Sequence, residues 1–422
     1  MKKYIIIIIN LIYILNSCSG ELDQYSFAAI SPDAVTEKDI PAIRNGMYYS
    51  VQNDPGVRSF MMFDLLGGVL KTSNGTPKDI INSMLSPLNS YVSSGWNGYF
   101  SALYQVNNMI AVSDRFPSST DGVLAKGEAH YFRAYIYFSL VTRWGDMPII
   151  RQNTMEKVSR DPINEVWKFI EDDLDEAISI LGSSKNYYYV SKDAATALKA
   201  RVLLSQGKKQ EAAILAENLI TSGVYKLDSF EKIFRKESNT EIIFAFENIT
   251  EESGINISDL YYTYAHPNKG QGSYRPTAEL MALFNDNDKR KAITFINVAG
   301  TDCINKYPSG QTGRDPVIIS RIAEMYLISA EAQGRSAGVG RLNELRRFRG
   351  LDDIFPSNDN DYTTAILDER RRELVAENFM YHDLVRTGRA KQELGLLDHQ
   401  MVLPIPGREL QLNPNLTPNP GY

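Results

Sequence analysis

Two dense runs of charge, Glu171-Asp172-Asp173-Leu174-Asp175-Glu176 and Asp368-Glu369-Arg370-Arg371-Arg372-Glu373, carry the residue types that acid–base chemistry or cation binding would need. Their spacing argues for structural work instead. Most acids of the first run fall outside the apolar stripe of their helix and read as a solvated face. The second run sets acids and bases three and four residues apart, as helix-stabilising ion pairs require. The four histidines, His130, His266, His382 and His399, show no metal-ligand pair spacing, and the two cysteines, Cys18 and Cys303, are too distant in sequence for a zinc motif. Gly338-Val339-Gly340 lacks a preceding strand and the third glycine of a dinucleotide fingerprint, and no Walker or G-x-S-x-G sequence occurs. No catalytic residue, metal or cofactor is therefore expected, and the chain does not read as an enzyme.

Cys18 has a different chemistry open to it. Lys2 and Lys3 precede an apolar run over residues 5–15, interrupted by Asn10, which is the pattern of an export signal occupying residues 1–17. The run is shorter than the roughly 20 apolar residues a membrane span needs. It ends in Leu15-Asn16-Ser17-Cys18, which resembles the lipobox of bacterial lipoproteins, so cleavage before Cys18 and its acylation are expected. Each buried acyl methylene contributes about 0.8 kcal/mol, and several chains together make a lasting anchor. Cys303 would then be a lone thiol, packed as a small side chain. The formal charge of −6 becomes −8 without Lys2 and Lys3 (−6 minus 2), which disfavours nucleic acid and anionic membrane surfaces as partners.

The elements that would position surface residues are mostly helical. Within residues 128–141, Ala129, Phe132, Ile136 and Leu140, with Tyr135 and Phe138 beside them, form one broad apolar face, so this helix is expected to be buried on more than one side. Gly145 and Pro148 end it. Pro162 opens a second helix, in which Val166, Phe169, Ile170, Leu174, Ala177, Ile178 and Leu181 recur at three and four, and Gly182 closes it. Residues 191–204 and 210–220 predict a hairpin of alanine-rich helices; with the preceding helix they resemble tetratricopeptide-type pairs, which must stack on neighbours to bury their faces. Residues 241–246 (EIIFAF) predict a strand, and residues 249–274, without a period, a long loop. Helical spacing returns over residues 276–284, 317–333, 341–349 and 362–385, whereas residues 413–422 are turn-rich and cannot be a helix.

Several of these blocks carry a family resemblance. AKGEAHYFRAYIYFSLVTRWGDMPII (residues 125–150), VWKFIEDDLDEAISIL (166–181), SKDAATALKARVLLSQGKKQEAAILAENLI (191–220), RPTAELMALFNDNDKR (275–290), RIAEMYLISAEA (321–332), LNELRRFRGL (342–351), ILDERRRELVAENFMYHDLVRTGRA (366–390) and LPIPGRELQLNPNLTPNPGY (403–422) resemble, in order, blocks of the SusD/RagB family of outer-membrane nutrient-binding lipoproteins. The resemblance implies a mostly α fold of tetratricopeptide-like helix pairs with long loops and a few short strands, forming a single domain over residues 18–422. It also implies a surface-exposed lipoprotein that captures an oligosaccharide or peptide and passes it to a SusC-like TonB-dependent transporter in the outer membrane. Glu21 and Asp23, just after the cysteine, are similar to acidic surface-export signals of such lipoproteins. The stretch QGRSAGVGR before Leu342 is shorter than the family's usual segment there.

Ligand capture of that kind relies on flat aromatic faces for sugar C–H surfaces, with amide and guanidinium groups at the rim for hydroxyls. Of 24 tyrosines and 3 tryptophans, most suit the core, as Tyr135 and Tyr326 do. The candidates outside it are Trp96 and Asn97, read as a loop before a helix, and Tyr261, Tyr262 and Tyr264 in the aperiodic stretch, with Arg275 at its end. Two alternatives stay open: a lipid-anchored helical glycan-degrading enzyme, which would need two convergent carboxylates, and a scaffold whose helix pairs bind protein.

Overall fold

The computed structural model describes residues 35–184 and 186–422; the export signal, Cys18, Glu21 and Asp23 lie outside the described residues. The architecture is mostly helical. Helices α1 (Ile40–Asn53), α2 (Ser90–Arg115), α3 (Thr120–Trp144), α4 (Ile163–Ile180), α5 (Lys192–Ser205) and α6 (Lys209–Thr221) each pack mainly on their neighbours in sequence. Two later helices, α7 (Ile322–Phe348) and α8 (Asp359–Leu374), extend the stack from α6. Polar side chains open these helices: Ser119 accepts from Gly122 N, Ser191 from Ala194 N, and Asn89 from Tyr91 N and Val92 N. Ala194, Ala195, Ala197, Ala200, Ala212 and Ala216 are fully buried where α5 and α6 approach each other and their neighbours. Among the described residues no helix is long and apolar enough to cross a membrane.

Among the described residues three short antiparallel strand pairs complete the fold: β1 (Leu70–Lys71) with β3 (Arg275–Pro276), β2 (Ile242–Phe246) with β6 (Val317–Arg321), and β4 (Phe295–Val298) with β5 (Thr301–Ile304). Cys303 is buried and free on β5, as a packed thiol should be. Helical spacing misassigns residues 317–321, where the β-branched run Val-Ile-Ile pairs with β2 and both strands are buried throughout. Residues 276–284 likewise keep only the short helix Ala278–Ala282. The helix expected over residues 362–385 breaks after Leu374, where Ala376 and Asn378 take left-handed backbone angles, and resumes at Met380–Arg386. At Gly334 (φ 71°) α7 is kinked.

Where β2, β6, α7 and α8 meet, the core holds charge. Glu373 accepts from Arg321 (2.5 Å), Arg349 (2.7 Å) and Arg290 (2.7 Å), all buried. Glu241 joins through Arg321 and Arg349, Glu369 through Arg290, and Glu377 through Arg321 and Lys306. Burial alone would push the Glu373 carboxyl up, yet Arg349, Arg321 and Arg290 hold it well below the usual carboxylate range. The second charged run thus works structurally, with tertiary partners added to local ones such as Glu369–Arg372. The first run needs a correction at Asp173, which shares the Phe169–Ala177 stripe of α4 and is buried, accepting from Arg133 and pairing with His130 Nδ1 at 2.7 Å.

Two core groups titrate in opposite senses. Burial pushes Asp64, which accepts from Ala376 N and Asn378 N, up from 3.8 to about 7. Lost hydration, with Arg386 nearby, pushes His382, packed between Phe63 and Phe138, down from 6.5 to about 3. The native Asp64 holds its proton where the unfolded chain has lost it, so its contribution fades as pH rises from about 4 to about 7. The native His382 stays neutral where the unfolded chain is charged, so its contribution fades as pH falls from about 6.5 to about 3. Between pH 4 and 6.5 the two slopes oppose each other. Urea midpoints measured across this window are expected to climb with pH in Asp64→Asn and to drop with pH in His382→Gln, each relative to wild type; equal slopes in all three chains would refute the assignment.

Candidate ligand-binding cleft

The sequence candidates are not assembled into one site. Trp96 is not in a loop: Asn89 caps a helix that runs unbroken from Ser90, and the ring is 3% exposed, set edge-on to Trp144 at 5.3 Å. Gly98 serves close packing within this helix, since a Cβ there would lie 2.0 Å from the Asp54 carbonyl oxygen. Tyr261 and Tyr262 are buried at the end of the short helix Ile257–Tyr261, with the Tyr262 hydroxyl donating to Asn305. Their faces are closed to a ligand by packing. Asn97 and Tyr264 (73% exposed) face solvent, and Arg275 is half-buried on β3, but none of the three lines the cleft formed elsewhere.

That cleft encloses about 930 Å³ of solvent-open space on the outer side of α1. Asn45, Tyr48, Tyr49, Gln52 and Asn53 occupy one face of α1 at helical spacing. Tyr188 and Tyr189 face them from the α4–α5 connection, and Glu247, Asn248, Ile249 and Glu252 come from the turn after β2. Tyr49 and Tyr189 present open rings, 51% and 41% exposed.

Each wall is tied to the core. The Tyr48 hydroxyl donates to Glu128 Oε1 (2.8 Å) and accepts from Val190 N (2.9 Å), while Arg44 binds Glu128 through two nitrogens and lies 4.8 Å from the Tyr189 ring centre. Burial, and then the Glu128 charge, push the Tyr48 phenol well above its ordinary value, so it remains a donor. Ala245 N donates to the Tyr187 carbonyl, fixing the tyrosine loop to β2. Asn248 adopts a left-handed conformation (φ 59°); it accepts from Gln52 and donates to the Ile255 and Asp315 carbonyls. Asn53 Oδ1 accepts from Ser253 Oγ and Gly254 N, joining α1 to the same turn. Such a surface stacks rings and exchanges hydrogen bonds. Among the described residues no group of His, Cys, Asp and Glu is arranged to hold a metal ion.

Sequence does not single out Tyr48 and Tyr49 of this cleft, because both sit within a helix where nothing local separates an exposed ring from a core one. For Tyr188 and Tyr189 a usable signal did exist: three consecutive tyrosines, residues 187–189, lie between a helix-ending glycine and the Ser191 cap.

Residues 22–204 match the family profile described as SusD-like, starch-binding associating with outer membrane, and residues 295–402 match the profile of the SusD family. SusD-like protein P2 of Formosa agariphila is 26% identical, with each chain covered in full. A laminarin-binding SusD-like protein has a similar fold, with a TM-score of 0.77 at 23% identity over 91% of this chain and 99% of that one. Surface glycan-binding protein A from Bacteroides fluxus aligns with a TM-score of 0.79 at 20% identity, over 92% of this chain and 100% of that one.

Proposed function

Because the chain belongs to the SusD/RagB family, we propose that it is a lipoprotein of the outer membrane that binds an oligosaccharide or glycan fragment at the cell surface and delivers it, unaltered, to a SusC-like TonB-dependent transporter. In this reading residues 18–422 are one domain held to the membrane by lipid on Cys18. The observation that carries it is the cleft of four tyrosines with amides and carboxylates around it, which has the aromatic faces and rim polarity that sugar rings require. The glycan-binding descriptions of two proteins with this fold support it. Binding is favoured over cleavage because Glu247 and Glu252 both stand in solvent, whereas glycoside hydrolysis needs an acid sheltered from water.

A glycan array tests this reading. Wild type is expected to be retained on oligosaccharide spots, and Tyr49→Ala or Tyr189→Ala to weaken retention by roughly 3- to 10-fold, the worth of one stacked ring. Retention untouched by both changes would remove the cleft from the binding site. Release of shortened sugars by the purified chain would favour the enzyme alternative instead.

A further inference from the structure

Resting on the reading that this cleft is the glycan site, we propose that its ligand is a neutral, hydroxyl-rich oligosaccharide and that uronic-acid and sulfated glycans are excluded. The inner polar groups are already spent. Tyr48 uses its hydroxyl as donor and acceptor within the protein, so it offers a ligand only its ring. Asn248 has both ends of its amide engaged, and so does Asn53, whose Nδ2 donates to the Tyr49 carbonyl.

What remains free is rich in acceptors. Gln52 gives its Nε2 to Asn248 and Ser253, leaving Oε1 for a ligand. The Glu247 and Glu252 carboxylates have no ion-pair or side-chain hydrogen-bond partner among the described residues, and both are exposed on the turn after β2. An ionised carboxylate only accepts. A sugar hydroxyl satisfies it by donating, whereas a uronate or sulfate group brings further acceptors and a like charge.

Among the described residues neither lysine nor arginine lines the cleft to reverse this, and the Arg44 guanidinium beside the Tyr189 ring is committed to the buried Glu128 carboxylate. Burial, Tyr187 and the Glu247 charge together keep the Tyr188 phenol protonated, so it too stays neutral.

The test is retention on a printed panel that pairs neutral oligosaccharides with their uronic-acid and sulfated counterparts at low salt, using wild type and the double variant E247Q/E252Q. Wild type is expected to hold neutral spots and to bind their acidic counterparts ~10-fold or more weakly. The double variant gives up two carboxylates that accept from sugar hydroxyls, so it is expected to hold neutral spots less well and acidic spots better, raising its ratio of acidic to neutral retention. Wild-type retention on acidic spots, or a double variant with unchanged selectivity, overturns this inference and leaves glycan binding standing. Retention on no spot at all overturns both.

Discussion

Glu373→Ala is expected to lower folding stability by about 3–5 kcal/mol, the cost of breaking a buried ion pair from one side. Its carboxylate is shared by Arg290, Arg321 and Arg349, all three of them buried. The loss would therefore arise from three guanidiniums stripped of a common counter-charge, more than from the missing attraction itself. Urea unfolding followed by helical circular dichroism measures it. Lys168→Ala is the control, because its exposed partner Asp172 is one turn away on α4 and the pair is screened by solvent, so little change is expected. A Glu373→Ala midpoint that matches the control would show that the remaining partners, Glu241, Glu369 and Glu377, are enough to hold these arginines in the interior.

Trp96→Ala is expected to cost a similar amount, about 3–5 kcal/mol, as a large buried ring is deleted and its neighbours Trp144 and Phe100 relax only in part. The affinity of the folded fraction for its glycan should stay as in wild type, since the ring lies inside the helical body. Trp96→Phe should recover part of the stability. The opposite pattern, intact stability with lost binding, would restore the view that this residue touches cargo.

Much of the helical frame was readable because its signals are local. Pro162, Gly182, Ser191 and the alanines of α5 and α6 mark helix ends and close contacts within a few residues of where they act. The strand Val317–Arg321 was not, because an apolar run feeding directly into a helix carries no phase change, and only its pairing with Ile242–Phe246 decides its form. The same limit hid the charged interior. Asp368 to Glu373 gives its local spacing away, while the partners that bury Glu369 and Glu373 come from Arg290, Arg321 and Arg349, up to 83 positions distant. The cleft failed for a further reason: Trp96 and Tyr49 look alike as aromatic residues, and which one faces water depends on the packing of α1, α2 and α3 around them.

The fastening of Tyr48 at its tip, to a carboxylate on one side and a main-chain amide on the other, has a kinetic meaning for any cargo. A platform already locked into one rotamer surrenders little entropy on docking, so contacts that are individually feeble still add up to useful affinity. Exchange can then be quick in both directions, because neither arrival nor departure has to wait for the platform to rearrange.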